Sequence, residues 1–228
     1  MITRFLPLIS ALLFLSCMAI AQESETKSFS VPGHGSVQLE IPKSWQSKIS
    51  QPPDNAPPTI ILVPQGVPES EARLTLMWPP KANDRLPNPE QISNKISDVA
   101  HELQSQAVEK EILIKELKGP FVFGYYFTAT DKAPKPGEYK YIAQGMFRLG
   151  ELLAIFTVLT NEASGNVIAE TITMLKNAMH ANNRASSPVG KANDAEAKGI
   201  QIKQQEKDYP LTMPARRPVA TRPEVEAL

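Results

Sequence analysis

The chain has 228 residues, of which 42% are hydrophobic, and its 24 basic and 24 acidic side chains give a formal net charge of zero. This length suits one ordinary domain with additional chain at its ends. The balanced charge excludes a strongly cationic surface of the kind that binds nucleic acids. The single cysteine, Cys17, excludes an internal disulfide and a zinc site built from thiolates.

The amino terminus has the pattern of a bacterial secretory signal. A cationic start at Arg4 precedes an apolar run over residues 5–15, and Ala19-Ile20-Ala21 fits the small-residue rule for cleavage. We therefore expect a signal peptide over residues 1–21 and a periplasmic or secreted mature protein. The apolar run is too short to span a bilayer, so no transmembrane anchor is expected. A lipoprotein is the alternative, because Phe14-Leu15-Ser16-Cys17 resembles the sequence at which a lipid is attached to cysteine.

The first predicted element of the mature chain is a β-hairpin. Residues 28–31 and 36–41 form its strands, and they flank Pro32-Gly33-His34-Gly35, whose glycines can adopt the positive φ of a tight turn. Pro42 ends the second strand because it lacks an N–H donor. Trp45 follows, and we expect it to be a core anchor whose burial contributes about 2 to 3 kcal/mol.

Two strands and a long loop are predicted next. The strands cover residues 59–63 and 72–78, which are rich in β-branched and other apolar side chains. The loop at residues 79–88 is bracketed by prolines. Because long loops in domains are often functional, this segment is a candidate binding loop.

A predicted amphipathic helix begins at Asn88, which can cap it, with Pro89 in the first turn. His101 lies outside its apolar stripe, so we expect that side chain in solvent. The stripe is spaced at three or four residues and consists of Ile92, Ile96, Val99, Leu103 and Ala107.

Four antiparallel strands are predicted after this helix, at residues 111–117, 121–130, 139–149 and 151–160. The last strand is apolar almost throughout, which indicates a central position in the sheet with both faces covered. Gly124 interrupts the second of these strands, where it marks a bulge or a close approach of another backbone.

The aromatic side chains of the second of these strands divide between its two faces. Alternation places Phe121, Phe123, Tyr125 and Phe127 together, where core packing accounts for them, and Tyr126 on the opposite face. Tyrosine contributes a large amphipathic contact area in interfaces. We therefore consider a partner-binding surface on two neighbouring strands, made of Tyr125, Tyr126, Tyr139 and Tyr141.

A second core-facing helix is predicted from the spacing of Ile168, Ile172, Leu175 and Met179. His180 would then lie at its carboxyl end, where the helix dipole favours a cation. Residues 182–228 contain few apolar side chains and several prolines, so we expect a disordered tail.

The order of these elements resembles the PsbP and Mog1-like superfamily. The resemblance extends from Thr26 to Ala181, and its most specific part is the strand-Pro-x-x-Trp segment from Val37 to Trp45. It implies an α+β domain over residues 22–181, in which helices sandwich an antiparallel sheet. It also implies an accessory, assembly or adaptor role that depends on binding other proteins.

The sequence offers no recognisable catalytic, cofactor or metal motif. His34, His101 and His180 are dispersed over a turn, a helix face and a helix end, so they do not form a ligand set. The Ser-x-x-Lys spacing from Ser24 to Lys27 lies close to the expected cleavage position, where a nucleophile would not be held in place. No catalytic, cofactor-binding or metal-binding residue is therefore predicted.

The leading functional hypothesis is an exported, non-enzymatic domain that binds an unknown envelope protein or serves as an envelope accessory. The alternative is a periplasmic protein that binds a small ligand or lipid in a pocket near Trp78, Ile96 and Met146. A hydrolase with two close carboxylates in a cleft is a third hypothesis.

Overall fold

The computed structural model describes residues 23–52, 56–79 and 84–182. The predicted signal peptide, with Cys17, lies outside the described residues, as does the predicted tail beyond Asn182. Residues 80–83 of the candidate binding loop also lie outside them. In the described part of the chain, no helix has the length and apolar character needed to cross a membrane.

The described residues form strands and two α-helices in an alternating order. The strands are β1 (Ser24–Ser30), β2 (Ser36–Pro42), β3 (Trp45–Ser50), β4 (Thr59–Pro64), β5 (Ser70–Met77), β6 (Lys115–Lys118), β7 (Val122–Thr130), β8 (Tyr141–Leu149), β9 (Leu152–Thr160) and β10 (Met179–Ala181). The helices are α1 (Pro89–Leu103) and α2 (Asn166–Lys176), and a short 3-10 turn covers Gln104–Gln106.

The strands form two antiparallel sheets. The small sheet has the order β1-β2-β10, and the large sheet has the order β3-β4-β5-β9-β8-β7-β6. β9 lies in the middle of the large sheet, and most of its side chains are buried on both faces. The prediction that the last of the four strands is central is therefore confirmed.

The predicted first hairpin is confirmed, and the corner after it joins the two sheets. Gly33 and Gly35 have φ values of 74° and 81° in the turn between β1 and β2. After Pro42 the chain leaves the small sheet, and Trp45 begins β3 in the large one. Trp45 is 2% exposed, and its indole N–H donates to a carboxylate oxygen of Glu170 in α2 at 2.7 Å. Trp45 is thus a core anchor, as predicted, and it also ties α2 to the sheet.

Helix α1 begins where the sequence predicts. The Asn88 side chain accepts from the backbone N–H of Gln91, and the Gln91 side chain accepts from the backbone N–H of Asn88, both at 2.9 Å. This reciprocal pair satisfies two N–H groups that the helix itself leaves free. His101 is exposed, as predicted. The helix ends at Leu103, so Ala107 belongs to the following segment.

Helix α2 lies on the other face of the large sheet and directs its predicted apolar face towards the core. Glu162 accepts from the N–H groups of Ser164 and Asn166, at 2.7 and 3.1 Å, and these bonds support the first turn. Ile168 packs against the core and Ile172 and Leu175 are buried, as predicted for a core-facing helix, but Met179 is exposed and lies beyond the end of the helix. The buried residues are Val167, Thr171, Ile172, Met174 and Leu175.

His180 does not cap α2, because the helix ends at Lys176 and His180 lies in β10. Its Nε2 donates to the carbonyl oxygen of His34 at 2.7 Å, and its Nδ1 accepts from the backbone N–H of Glu151 at 3.4 Å. The His34 ring stacks on Trp78, with ring centroids 4.3 Å apart. The two histidines therefore join the first turn to the β8–β9 turn and to the end of β5.

The core has two parts, one on each face of the large sheet. Ile92, Ile96 and Val99 of α1 pack with Phe127 and Met146 on one face. On the opposite face, α2 and the small sheet pack on the large sheet. The fold is therefore mixed α and β with antiparallel strand pairing, as the sequence predicts at this level. The small sheet is an addition to the predicted architecture.

Candidate functional site

An open groove of about 530 Å³ lies between α2 and the strands at one end of the large sheet. One face of α2 forms its wall, and strands β7 and β8 form its floor. The wall consists of Ile168, Ala169, Ile172, Thr173 and Lys176. The floor consists mainly of Tyr126, Thr128, Thr130 and Tyr141, and Lys115 and Glu109 complete the lining. We call this feature the α2 groove.

The floor follows from the alternation of side chains along β7. Tyr126, Thr128 and Thr130 are two residues apart, so they lie on the same face of the strand. Tyr141 of β8 is the register partner of Thr130, which places it beside that end of the row. A pleated strand paired with its neighbour therefore collects two tyrosines and two threonines under α2.

Both tyrosines of the floor lie beneath a lysine ammonium group. Lys115 Nζ is 5.9 Å from the centroid of the Tyr126 ring and donates to Thr128 Oγ1 at 3.1 Å. Lys140 Nζ is 5.5 Å from the centroid of the Tyr141 ring. These are cation–π distances. Burial raises the pKa of Tyr126, so this phenol is neutral at physiological pH.

Glu109 lies at one end of the groove, where its carboxylate is engaged by a single partner residue. Thr130 donates to it through its backbone N–H at 2.9 Å and through its hydroxyl at 2.8 Å. Burial opposes ionisation, but these hydrogen bonds and nearby Lys115 outweigh it and lower the pKa of Glu109. Glu109 is therefore an ionised group that fixes the end of β7, which is a structural role.

The groove brings together only two of the four predicted surface tyrosines. Tyr126 and Tyr141 share its floor. Tyr125 faces the α1 side of the sheet, where its ring meets the edge of Phe123 with centroids 5.5 Å apart. Tyr139 precedes β8, and its pKa is raised by burial and by the carboxylates of Glu71 and Glu69, against the effect of Arg73. Tyr126 and Tyr141 therefore share the groove, whereas Tyr125 and Tyr139 lie outside its lining.

The predicted core role of the aromatic residues around β7 is correct for Phe127 and wrong for Phe121. Phe127 is fully buried under α1, whereas Phe121 is among the most exposed apolar side chains of the described residues. The difference arises because β7 begins at Val122, so Phe121 belongs to the preceding turn. Gly124 marks a close approach: an added Cβ would lie 2.2 Å from the carbonyl oxygen of Met146.

The alternative pocket predicted near Trp78, Ile96 and Met146 does not form around those three residues. Ile96 and Met146 are buried in the core under α1, and Trp78 packs against the core on the opposite side of the sheet. In the described ranges, no group of three or more His, Cys, Asp or Glu side chains is placed to hold a metal ion.

The wall and the cations of the groove were not predicted from the sequence. Ile168, Ile172 and Lys176 are spaced four residues apart, which places them along one face of a helix. The sequence shows that spacing, but the position of this helix face opposite Tyr126 depends on how α2 packs across the sheet. Comparisons with protein-family models, with curated proteins and with solved structures find no match to this chain.

Proposed function

We propose that this chain is an exported, non-enzymatic domain that binds another protein, as a periplasmic or secreted envelope accessory. The single observation that carries the proposal is the α2 groove, where Tyr126 and Tyr141 share one open floor. Tyrosine rings supply contact area at low entropic cost, and their hydroxyl groups supply hydrogen bonds. The adjacent lysines and the exposed Thr173 supply further polar contacts at the rim.

The proposed location outside the cytoplasm rests on the amino-terminal sequence pattern, and the proposed relation to the PsbP and Mog1-like superfamily rests on element order. Helices on both faces of an antiparallel sheet support that relation, as does the strand-Pro-x-x-Trp corner at Trp45. The domain is then an adaptor, and its partner is an envelope protein.

A second candidate function is the binding of a small ligand or lipid. The volume of the groove, about 530 Å³, favours this candidate because pockets for small molecules have volumes of about 300 to 1,000 Å³. The two candidate functions therefore differ in whether a protein or a small molecule occupies the groove. Native mass spectrometry of the purified protein would detect a retained small molecule.

The test is in-cell crosslinking with affinity recovery and mass spectrometry. Thr173→Arg fills part of the groove with a long side chain, and Tyr141→Ser removes one floor ring. We expect both changes to lower the recovery of a specific envelope protein at least about tenfold, which corresponds to 1.4 kcal/mol of binding free energy. Tyr125→Ser, on the opposite face, is the matched control and should leave recovery unchanged.

Equal recovery by the groove variants and the wild type would contradict the proposed site. A specific small molecule in the wild-type protein that is absent from the Thr173→Arg variant, with no protein recovered, would favour the ligand-binding function. Circular dichroism of each variant establishes that the fold is retained.

A further inference from the structure

The most exposed large apolar side chains of the described residues lie in one segment. Val108, Leu113 and Phe121 have exposed fractions of 60%, 62% and 60%, whereas the next most exposed, Met179, has 40%. All three flank β6, two before it and one after it. Val108 lies beside Thr130 at one end of β7, and Phe121 directly precedes β7 at its other end, so the exposed apolar side chains are distributed along one edge of the sheet.

β6 is an edge strand of the large sheet. It pairs with β7 on one side, and no other strand of the described chain lies beyond it. Val108 extends this edge, because its N–H donates to the carbonyl oxygen of Thr130 at 2.8 Å. An edge strand presents main-chain N–H and C=O groups with which another extended chain can pair.

The two faces of this edge lead to different depressions. Lys115 is the register partner of Tyr126, so it lies on the face of the α2 groove. Lys118 is the register partner of Phe123, which is in turn the partner of Arg148. Lys118, Phe123 and Arg148 therefore form a row of cation, aromatic ring and cation on the face of the large sheet that α1 covers. There they line a second depression of about 430 Å³, together with Phe121.

Between Val108 and Phe121 the chain carries three basic and three acidic side chains, which are Lys110, Lys115, Lys118, Glu109, Glu111 and Glu116. Arg148 and Lys176 line the two depressions beside this segment and give the edge an excess of two positive charges. In the described part of the chain, the side chains of Lys118, Arg148 and Lys176 form no ion pair or hydrogen bond. Glu116 is the one acidic side chain of β6, and Glu109 is already bonded to Thr130. An acidic segment therefore matches the edge, whereas a second copy of the chain would bring like charges together.

We propose that an extended acidic segment of the partner protein adds to the large sheet as a new strand along β6. The inference rests on the proposed function and specifies its mode of recognition. Successive side chains of an added strand point to opposite faces. One set therefore enters the α2 groove, and the other set meets Phe121, Lys118 and Arg148. Main-chain pairing supplies affinity, and the two depressions supply specificity.

The experiment uses the full mature chain and an acetylated, fluorescently labelled peptide of alternating Glu and Val. We expect binding with changed shifts and slowed exchange of the β6 amides, Lys115–Lys118, in NMR spectra. A peptide N-methylated at alternate residues keeps the side chains and loses the main-chain donors. It should bind at least about tenfold more weakly, as should an alternating Lys-Val peptide.

Protein variants locate the bound peptide. Phe121→Ser should weaken peptide binding and in-cell recovery of the partner. Ile49→Ser removes an exposed apolar side chain, 36% exposed, from β3 at the other edge of the same sheet, so it should change neither. Equal affinity for the N-methylated peptide, or amide protection at β3 with none at β6, would overturn the inference.

Failure of the inference and failure of the proposed function give different results. If recovery falls with Thr173→Arg and Tyr141→Ser but not with Phe121→Ser, and the Glu-Val peptide leaves the β6 amides unchanged, strand addition is overturned and the protein-binding function stands. Self-association through β6, seen as concentration-dependent dimerisation that Phe121→Ser abolishes, would also overturn the acidic-partner inference. Recovery of no envelope protein would overturn the function itself.

Discussion

Trp45 and Tyr126 show how two aromatic residues acquire different roles from their surroundings. The Trp45 ring is buried and its N–H is satisfied by Glu170, so no part of it remains available to a partner. Tyr126 is half-buried beneath Lys115 at the floor of an open groove. The strand-Pro-x-x-Trp pattern was enough to predict the anchor. Its partner could not be predicted, because Glu170 lies 125 residues away in the sequence.

The substitution Glu109→Gln should make stability less dependent on pH. The pKa of Glu109 is lowered in the folded protein, so its ionised form stabilises the fold above its unfolded pKa, about 4.3. This contribution is lost as pH falls through the folded pKa. We therefore expect the variant to be less stable than the wild type at pH 7, and the difference measured by urea denaturation to be smaller near pH 3.

Glu111→Gln is the matched control for this substitution. Glu111 is an exposed glutamate two residues further along the chain. Its side chain has no hydrogen bond or ion pair with another described residue, so its replacement should cost less stability at pH 7 than Glu109→Gln does. A stability loss in Glu109→Gln that is the same at pH 7 and near pH 3 would contradict the structural role of this carboxylate.

At the scale of elements, the sequence predicts the strands that are buried and misses the strands that are not. β9 is apolar and central, and the first hairpin alternates regularly, so both carry a strong pattern. β3 has Trp45 as its one buried residue, and the rest of this edge strand lacks the alternation of a half-buried one. β10 is only three residues long, and it is a strand because it pairs with β2, which lies far away in the sequence. A local sequence pattern does not reveal such a pairing.

The candidate site shows the same limit. Tyr126 and Tyr141 were identifiable because they stand in strands with clear patterns. The wall made by Ile172 and Lys176 depends on how α2 packs across the sheet, which the spacing of its apolar residues does not determine. The helix buries Val167 and Met174 as well, because it lies between the large sheet and the small one.

The substitution Gly124→Ala should separate β7 from β8. The added Cβ would lie 2.2 Å from the carbonyl oxygen of Met146 and 2.4 Å from the Cβ of Phe147. Both residues belong to β8, which is paired with β7 and cannot move away without loss of that pairing. We expect a loss of about 2 to 4 kcal/mol in the free energy of unfolding, measured with urea.

Gly137→Ala separates this packing effect from the loss of a glycine as such. Gly137 has a φ of 82°, and an added Cβ there would meet no atom within 4 Å. The cost should be the backbone strain alone, about 1 to 2 kcal/mol. A Gly124→Ala loss no larger than that of Gly137→Ala would show that β7 and β8 can shift to accommodate the methyl group.

At the scale of the whole molecule, the two sheets share one core. Val37 and Leu39 of the small sheet pack in the same cluster as Leu74 and Phe156 of the large sheet, and Leu175 of α2 packs there too. The small sheet and this face of the large sheet therefore bury each other's apolar side chains. The sheets should therefore unfold together.

We expect single-tryptophan variants to report one cooperative transition. Trp78→Phe leaves Trp45, in the core beneath α2, and Trp45→Phe leaves Trp78, which stacks on His34 in the turn of the small sheet. In each variant, the fluorescence and far-UV circular dichroism transitions in urea should coincide. A Trp78 transition at lower urea than the loss of dichroism would show that the small sheet unfolds first.

The small sheet also determines how the domain would carry a mechanical load. Ser24 of β1 is paired with Pro42 at one end of β2, and Ala181 of β10 is paired with Ser36 at the other end. Tension applied between Ser24 and Ala181 therefore acts along the strands. It loads the β1–β2 pairing and the β2–β10 pairing in shear. All the cross-strand bonds then resist together, whereas a pull across the strands would open them one at a time. A domain held at one end and pulled at the other would withstand more force for this reason.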